Sequence, residues 1–284
     1  MTNEPPRATS GRGPRLTRRG RLALIVTAVV VVAAVAVLVP LLRTGQSPDS
    51  EQKKTVSLLV PEGRRATQVY ASVDKVLDLA PGTTEKTATG TRLELPDAAR
   101  RNPEGYLFPA TYPVEKGATP AGLLGYMVDT ARRHFGADHI TEGARRNGVT
   151  VYQTVTIASI VQAEADTEAD MGRVARVVHN RLARDMALQM DSTLNYALNR
   201  STLDTTHSDT RTASPYNTYE SKGLPPTPIG NPGEQAMNAA INPTRGDWLY
   251  FVTVAPGDTR FTADYAEHRS NVEEFNANRS AATD

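Results

Sequence analysis

The segment VYQTVTIASIVQAEA, residues 151–165, is almost entirely apolar or small. Ile157, Ile160 and Val161 recur at helical spacing, which predicts a buried helix. Glu164 falls on the same face, since it follows those residues by seven, four and three positions. Desolvation raises the pKa of a carboxyl group in such a place, which suits it to general-acid chemistry near neutral pH. The alternative is a helix end that turns outward, with Glu164 starting the acidic run through Asp170.

Composition excludes several classes of chemistry. The 284 residues contain no cysteine, so disulfides, thiol catalysis and cysteine zinc sites are ruled out, and we predict neither a metal nor a cofactor. The 32 basic and 31 acidic residues balance, but six arginines lie within residues 1–21, against Glu4 alone. The remainder is therefore mildly acidic, which argues against a nucleic-acid partner.

The N-terminal part reads as a membrane anchor. Residues 1–21 are predicted to be a disordered basic arm, and residues 43–54 a polar linker. Between them, residues 22–42 carry no charge and would span roughly 31 Å as a helix, enough to cross a bilayer. The arginines place the arm in the cytoplasm and the rest of the chain outside the cell membrane. A cleaved signal peptide ending near Ala36 is the alternative, and it also exports the body.

The remaining pattern predicts an α+β fold. Besides the segment at 151–165, helices are expected over residues 64–80, 118–135, 171–186 and 233–242, and at the C-terminus. One modest sheet is expected from residues 56–60, 106–112, 248–254 and 259–262. Residues 188–198 are interpreted as a polar loop after two buried helices. The proline-rich residues 214–243 are interpreted as a rigid, ordered loop of the kind that holds binding groups.

Ten short motifs resemble those of a known family and occur in the same order along the chain. They are PEG at 61–63, EGYLFPATYP at 104–113, TIASIVQAEA at 156–165, HNRL at 179–182, LQMDST at 188–193, SPYNTY at 214–219, GLPPTPIGNPG at 223–233, AAINP at 239–243, YFV at 250–252 and FTADYAEH at 261–268. Together they resemble the MltG-type (YceG-like) endolytic murein transglycosylases from about residue 56 onward.

The resemblance implies an enzyme that cleaves peptidoglycan glycan strands internally. Its members cut the MurNAc–GlcNAc bond and leave 1,6-anhydroMurNAc ends, and the resemblance also suggests peptidoglycan synthases as partners. The family's essential glutamate aligns with Glu164. The family often has a second acidic residue two positions earlier, where this chain has Gln162. A LysM-like region usually precedes the catalytic domain. Here only a truncated form fits, at residues 55–102, before a catalytic domain at residues 103–278.

Within this resemblance, Glu164 is predicted to act first as general acid and then as base. Side chains near it in the motifs are predicted to bind or orient the sugars: Gln189, Asn217, Tyr216, Tyr219, Asp191, Ser192 and Tyr106. Asp191 and Ser192 could equally hold their loop in shape, and Tyr106 could be a core residue. Two alternatives stay open: a water-using muramidase with Asp166 or Asp191 as second carboxylate, and a non-catalytic cell-wall scaffold.

Overall fold

A computed structural model describes residues 56–201 and 206–281. The predicted basic arm, membrane anchor and linker, residues 1–54, lie outside these ranges. Within them, no helix combines the length and hydrophobicity that crossing a bilayer requires.

The described chain is a mixture of helices and short strands, as predicted. The strands are β1 (Val56–Leu59), β2 (Thr111–Val114), β3 (Tyr250–Ala255) and β4 (Asp258–Thr262). The helices are α1 (Ala66–Val76), α2 (Thr83–Gly90), α3 (Pro120–Phe135), α4 (Asp138–Arg146), α5 (Val151–Glu164), α6 (Glu168–Ala183), α7 (Asp191–Ala197), α8 (Glu234–Ile241) and α9 (Tyr265–Ala281). Two short 3-10 turns lie at Asp97–Ala99 and Asp209–Arg211.

The central helix α5 confirms the prediction for residues 151–165. It begins with a reciprocal cap, in which the Thr150 hydroxyl accepts from the Gln153 amide and the Gln153 side chain accepts from the Thr150 amide. Every residue from 154 to 161 is buried, because α5 packs against α4, α6, α7 and α8. The apolar face expected from the sequence is therefore a helix buried on all sides over two turns.

Ser159, a polar residue buried inside α5, makes two hydrogen bonds. The Ser159 hydroxyl donates to the Thr156 carbonyl at 2.7 Å and accepts from the Ile229 amide at 3.0 Å. That second bond fixes the proline-rich segment 223–233 against the helix. After Glu164 the chain turns at once into α6, whose first turn is capped by the Thr167 hydroxyl.

The prediction of one sheet is wrong. Among the described residues the strands form two separate antiparallel pairs, β1 with β2 and β3 with β4. In the first pair Val56 lies opposite Val114 and Leu59 opposite Thr111. Pro113 lacks an amide proton, so it is suited to the edge of such a small ladder. Only the end of the predicted strand at 106–112 is a strand, because Tyr106 to Phe108 pack into the core instead.

Residues 56–102 share one hydrophobic core with the later helices. Leu58, Val60, Val69 and Val73 are buried in the same cluster as the residues of α3, α5 and α6. Strand β1 also pairs with β2, which follows residue 102. The segment predicted to be a truncated LysM-like region is thus packed onto the helical body.

Two helices form where no helix was predicted. Residues 83–90 form α2, and residues 191–197, inside the predicted loop 188–198, form α7. Thr193 and Leu194 are buried in α7. Tertiary packing of these residues stabilises a helix whose length alone would not sustain it.

Candidate active site

Glu164 is the last residue of α5, and it lies beside the first turn of α7. Its side chain is partly buried, and its carboxylate oxygen Oε1 accepts a hydrogen bond from the Ser192 backbone amide at 3.1 Å. The contact joins the two motifs TIASIVQAEA and LQMDST, which are 28 residues apart. The fold therefore brings together Glu164 and Ser192, both predicted as site residues.

The surroundings of Glu164 favour its protonated form. Burial removes water from the carboxyl group and raises its pKa above the ordinary value, and the nearby Asp191 charge acts in the same direction. The backbone amide of Ser192 opposes this rise by hydrogen bonding to the ionised form. The buried Ser192 hydroxyl has no hydrogen-bond partner among the described residues.

A second acidic group, Asp191, is held by a tyrosine. The Tyr219 hydroxyl donates to Asp191 Oδ1 at 2.5 Å. Burial and the neighbouring Asp191 and Glu164 charges raise the pKa of Tyr219 well above its ordinary value, so it remains a donor at physiological pH. Glu164, Asp191, Ser192 and Tyr219 thus form one polar cluster, and four of the predicted site residues meet in it.

Gln189 lies next to this cluster on a strained backbone. Its φ is +52°, in the left-handed region that is unfavourable for a non-glycine residue. Its amide donates to the Thr218 carbonyl at 2.9 Å, and its exposed side chain accepts from Arg181 Nη1 at 3.1 Å. The Met190 amide and the Thr193 hydroxyl also bond to the Thr218 hydroxyl. These bonds fix the segment 189–193 to the segment 217–219.

Arg181 is a buried cation that sequence reasoning missed. It is 6% exposed, and its guanidinium donates to four oxygens: those of the Leu249, Ala187 and Leu188 carbonyls and the Gln189 side chain. It also lies 5.1 Å from the centre of the Tyr250 ring. Because it binds the Ala187 and Leu188 carbonyls as well as that of Leu249, it fixes the segment before α7 to the start of the β3 region. Its place in the HNRL motif was the available signal.

Asn217 and Tyr216 occupy structural positions. Asn217 is fully buried; its side-chain amide donates to the Thr210 and Thr212 carbonyls and its oxygen accepts from the Tyr219 amide. No atom of that side chain is left to meet a sugar without rearrangement, so its predicted substrate contact gains no support. The Tyr216 hydroxyl pairs with Thr227 at 2.9 Å.

Tyr106 lies far from Glu164. It is 3% exposed and packs against Phe135 and Tyr152, near the opposite end of α5. Tyr152 precedes Glu164 by 12 residues, or roughly 18 Å of helix. A pocket of about 330 Å³ lies there, lined in part by Tyr106 and Tyr152, and it is distinct from the carboxylate cluster. Of its two predicted roles, the structure gives Tyr106 that of a core residue.

The residue two positions before Glu164 has a structural contact. The Gln162 side-chain oxygen accepts from the Gly233 amide at 3.0 Å, where α8 begins. The PEG segment packs against the same place, since the Gly63 amide donates to the Asn231 carbonyl. Through these hydrogen bonds the two motifs hold the segment before α8 against the C-terminal end of α5.

Sequence reasoning also missed Glu104, a second buried carboxylate. It is 3% exposed and accepts hydrogen bonds from the Ala66 amide and the Tyr196 hydroxyl. Burial raises its pKa to about 7. Its position in the EGYLFPATYP motif was the available signal. Among the described residues no group of three or more acidic or histidine side chains is arranged to hold a metal ion.

Known proteins resemble this chain over most of its length. The endolytic murein transglycosylase of Bacillus subtilis (strain 168) is 32% identical over 234 residues, which are 77% of this chain and 64% of that protein. The protein of the same name from Streptococcus pneumoniae serotype 2 (strain D39) is 36% identical over 182 residues, 62% of this chain and 33% of that protein. The chain thus spans less than two thirds of either relative.

A solved structure and a family model agree with these relatives. The crystal structure of a yceG-like protein from Listeria monocytogenes superposes with a TM-score of 0.65 at 30% identity, covering 76% of this chain and 75% of that one. The model of the YceG-like family matches residues 33–274. With that match over most of its length and a fold shared with a yceG-like protein, the chain belongs to the YceG-like family.

Proposed function

We propose that this protein is an endolytic lytic transglycosylase of peptidoglycan, with Glu164 as its general acid and then its base. The observation that carries the proposal is the partly buried Glu164 carboxyl, whose pKa is raised by burial and which accepts from the Ser192 amide. The names of the two relatives give the reaction class.

In the proposed reaction Glu164 first donates a proton and then accepts another. Protonated Glu164 donates to the oxygen of the MurNAc–GlcNAc bond as the bond from C1 to that oxygen breaks. The Glu164 carboxylate then takes the proton of the MurNAc O6 hydroxyl, which attacks C1 of the same sugar. The products are a free GlcNAc hydroxyl and a 1,6-anhydroMurNAc end, and no water is consumed. Exposed Gln189 is the side chain best placed to meet the sugars.

Replacing Glu164 with Gln tests the proposal. The amide cannot donate a proton as an acid does, so cleavage of purified glycan strands should fall by about a thousandfold or more, with the fold retained. Mass spectrometry of wild-type products should show anhydro ends. Retained cleavage by the Gln variant would remove Glu164 from the mechanism.

A muramidase that uses water is the second candidate, since Asp191 lies close enough to raise the Glu164 pKa. Inverting and retaining glycosidases both require such a second carboxylate. Products with reducing MurNAc ends, one water heavier than anhydro ends, would favour this candidate and reject ours. Asp191→Asn separates the two further, because our mechanism requires no second carboxylate and the muramidase would lose its activity.

The proposed location is the cell membrane, with residues 55–284 on its outer side. The support is the uncharged run at 22–42 and the arginines before it. Protease added to intact spheroplasts should digest the catalytic part, and digestion only after lysis would reject this orientation.

A further inference from the structure

Glu104 is the most deeply buried carboxylate of the site region, and the proposed reaction does not use it. Its two oxygens have different partners: Oε1 accepts from the Ala66 amide at 2.9 Å, and Oε2 accepts from the Tyr196 hydroxyl at 3.1 Å. The Asn231 side chain, which is 0% exposed, approaches Oε1 at 3.4 Å. A carboxylate so enclosed cannot reach a sugar, so its contribution must pass through its neighbours.

The titratable groups that face Glu104 come from three helices. From the start of α1, Arg65 approaches it, lying 5.2 Å from the centre of the Tyr196 ring, and Tyr70 faces it from the same helix. Tyr152 faces it from α5, and Tyr196 from α7. Arg65 is the cation that offsets the cost of an ionised Glu104, since burial raises the Glu104 pKa while Arg65 lowers it.

Helix α7 connects this carboxylate to Glu164. Its Ser192 amide bonds Glu164, and four residues later its Tyr196 hydroxyl bonds Glu104. Ser192 lies in the first turn of α7, where backbone amides have no partner within the helix, and the Tyr196 side chain follows one turn later. The helix has only seven residues, too few to be stable alone. Its position therefore depends on bonds such as these two.

We propose that Glu104 is a positioning residue for Glu164: through Tyr196 it holds α7, and α7 holds the Ser192 amide against the Glu164 carboxyl. The inference rests on the proposed function of Glu164. It makes a specific prediction about pH, because the Ser192 bond lowers the Glu164 pKa. A shift of α7 that breaks the Ser192 bond also takes the Asp191 charge away, because Asp191 belongs to the same helix. The Ser192 bond acts on the Glu164 pKa more strongly than the Asp191 charge does, so the net effect in a carboxyl that stays buried is that Glu164 keeps its proton to higher pH.

The test compares the pH profiles of the wild type, Tyr196→Phe and Glu104→Gln. The phenylalanine removes the bond to Glu104. Glu104→Gln replaces the carboxylate that accepts from Tyr196 by a neutral amide, which makes a weaker hydrogen bond to that hydroxyl than an ionised group does. Both variants should form anhydro ends about 10- to 100-fold more slowly at the wild-type optimum, as expected for a displaced acid. The alkaline limb of each profile should also move to higher pH.

Tyr70→Phe is the matched control. Tyr70 faces Glu104 from α1, but the link from Glu104 to α7 is the Tyr196 hydroxyl, which this variant leaves in place. The alkaline limb of Tyr70→Phe should therefore lie where it does in the wild type. A merely structural role for Glu104 would lower the amount of active enzyme equally at every pH, and an unmoved limb in Tyr196→Phe and Glu104→Gln would overturn the proposal.

A titration that needs no activity separates this proposal from the proposed function. With glutamate labelled by ¹³C at the side-chain carboxyl, NMR follows Glu164 directly, and Glu164→Gln identifies its signal. The Glu164 midpoint should lie higher in the two variants than in the wild type, even if the wild type cleaves no glycan. Equal midpoints would overturn the coupling, and Glu104→Gln decides alone should Tyr196→Phe fail to fold.

Discussion

Glu164 shows how three influences together set the protonation state of one carboxyl group. Burial and the Asp191 charge favour the neutral form, while Ser192 favours the ionised form. A general acid is most effective when its pKa is near the working pH. In the proposed mechanism, the Ser192 amide therefore keeps burial from raising the Glu164 pKa so far that the second step, in which Glu164 accepts a proton, becomes unfavourable.

Replacing Glu164 with Gln should make the protein more stable at alkaline pH. A carboxyl whose pKa is raised in the folded state contributes its full stability below the ordinary value of 4.5 and loses it as pH rises through the folded-state pKa. Gln does not ionise and escapes this loss. We expect the variant's Tm to exceed the wild-type Tm by about 2–4 °C at pH 8, corresponding to about 1 kcal/mol.

Calorimetry at pH 4 provides the control for that prediction, since both proteins are then uncharged at this position and their Tm values should agree more closely. A gap that is as large at pH 4 as at pH 8 would show that the ionisation of Glu164 is not its cause.

Replacing Arg181 with Lys should destabilise the fold despite keeping the charge. The guanidinium serves four oxygens in fixed directions, and an ammonium on a flexible stem cannot satisfy that set. We expect a loss of about 2–4 kcal/mol in the free energy of unfolding, measured in urea. The same replacement at the exposed residue Arg184 is the matched control, and it should change the free energy of unfolding by no more than about 0.5 kcal/mol. Equal effects at both positions would contradict this role for Arg181.

At the scale of elements, α5 depends on loops that approach it closely. Gly105 lies where the EGYLFPATYP segment crosses the helix, with a φ of +84°. A Cβ atom there would be 2.5 Å from Pro228 Cγ and 3.0 Å from Val155 Cγ1. Two separate causes therefore disfavour any residue other than glycine here: the backbone conformation, and the close contact of a Cβ atom with two other segments.

Gly105→Ala and Gly148→Ala should separate these two causes. Gly148 also has a positive φ, +70°, but an added Cβ there would meet nothing within 4 Å. Its replacement should cost about 1–2 kcal/mol of strain alone. Gly105→Ala adds the clash, and we expect about 3–5 kcal/mol in total. Chemical denaturation measures both, and equal losses would mean that the loop moves aside freely.

At the scale of the whole molecule, residues 56–102 are part of the folding unit. They supply β1, the hydrogen-bonded partner of β2, and buried side chains such as Val69 and Val73. Each buried side chain of this kind contributes about 1.5–3 kcal/mol, and a domain's net stability is typically about 5–15 kcal/mol. A few such losses therefore exhaust the stability of the remainder.

A fragment of residues 103–284 should consequently fail to fold, while residues 55–284 should unfold in one cooperative transition. Circular dichroism during heating distinguishes the two, since the shorter fragment should show no sigmoidal transition. A cooperative transition in residues 103–284 would mean that the catalytic part is an independent domain.

Several elements could be predicted because their signals are local. The run of apolar residues at 151–165 and the helical period of Met171, Val174, Val177 and Val178 correctly indicated α5 and α6. The helix α7 could not be predicted, because its stability comes from contacts with Glu164, Thr218 and Glu104, which are distant in sequence.

The site divides in the same way. Glu164 could be singled out from the sequence, since a carboxylate on an apolar helix has few local explanations. The neighbours Asp191, Ser192 and Tyr219 were predicted as separate motif residues, and their mutual distances were beyond the sequence. Asn217 and Tyr106 lie in motifs of the same kind. However, the Asn217 side chain is occupied by hydrogen bonds within the protein, and the Tyr106 side chain is buried in the hydrophobic core.

By itself, the sequence determined the central helix, the acid at its end, the family resemblance and the absence of cysteine chemistry. Tertiary structure alone decided that the strands form two pairs, that Arg181 and Glu104 are buried among motif residues, and that α7 connects Glu104 to Glu164. The physical reason is that helical period and composition act over a few neighbouring residues. Burial and hydrogen-bond partners depend instead on segments that come together only when the whole chain has folded.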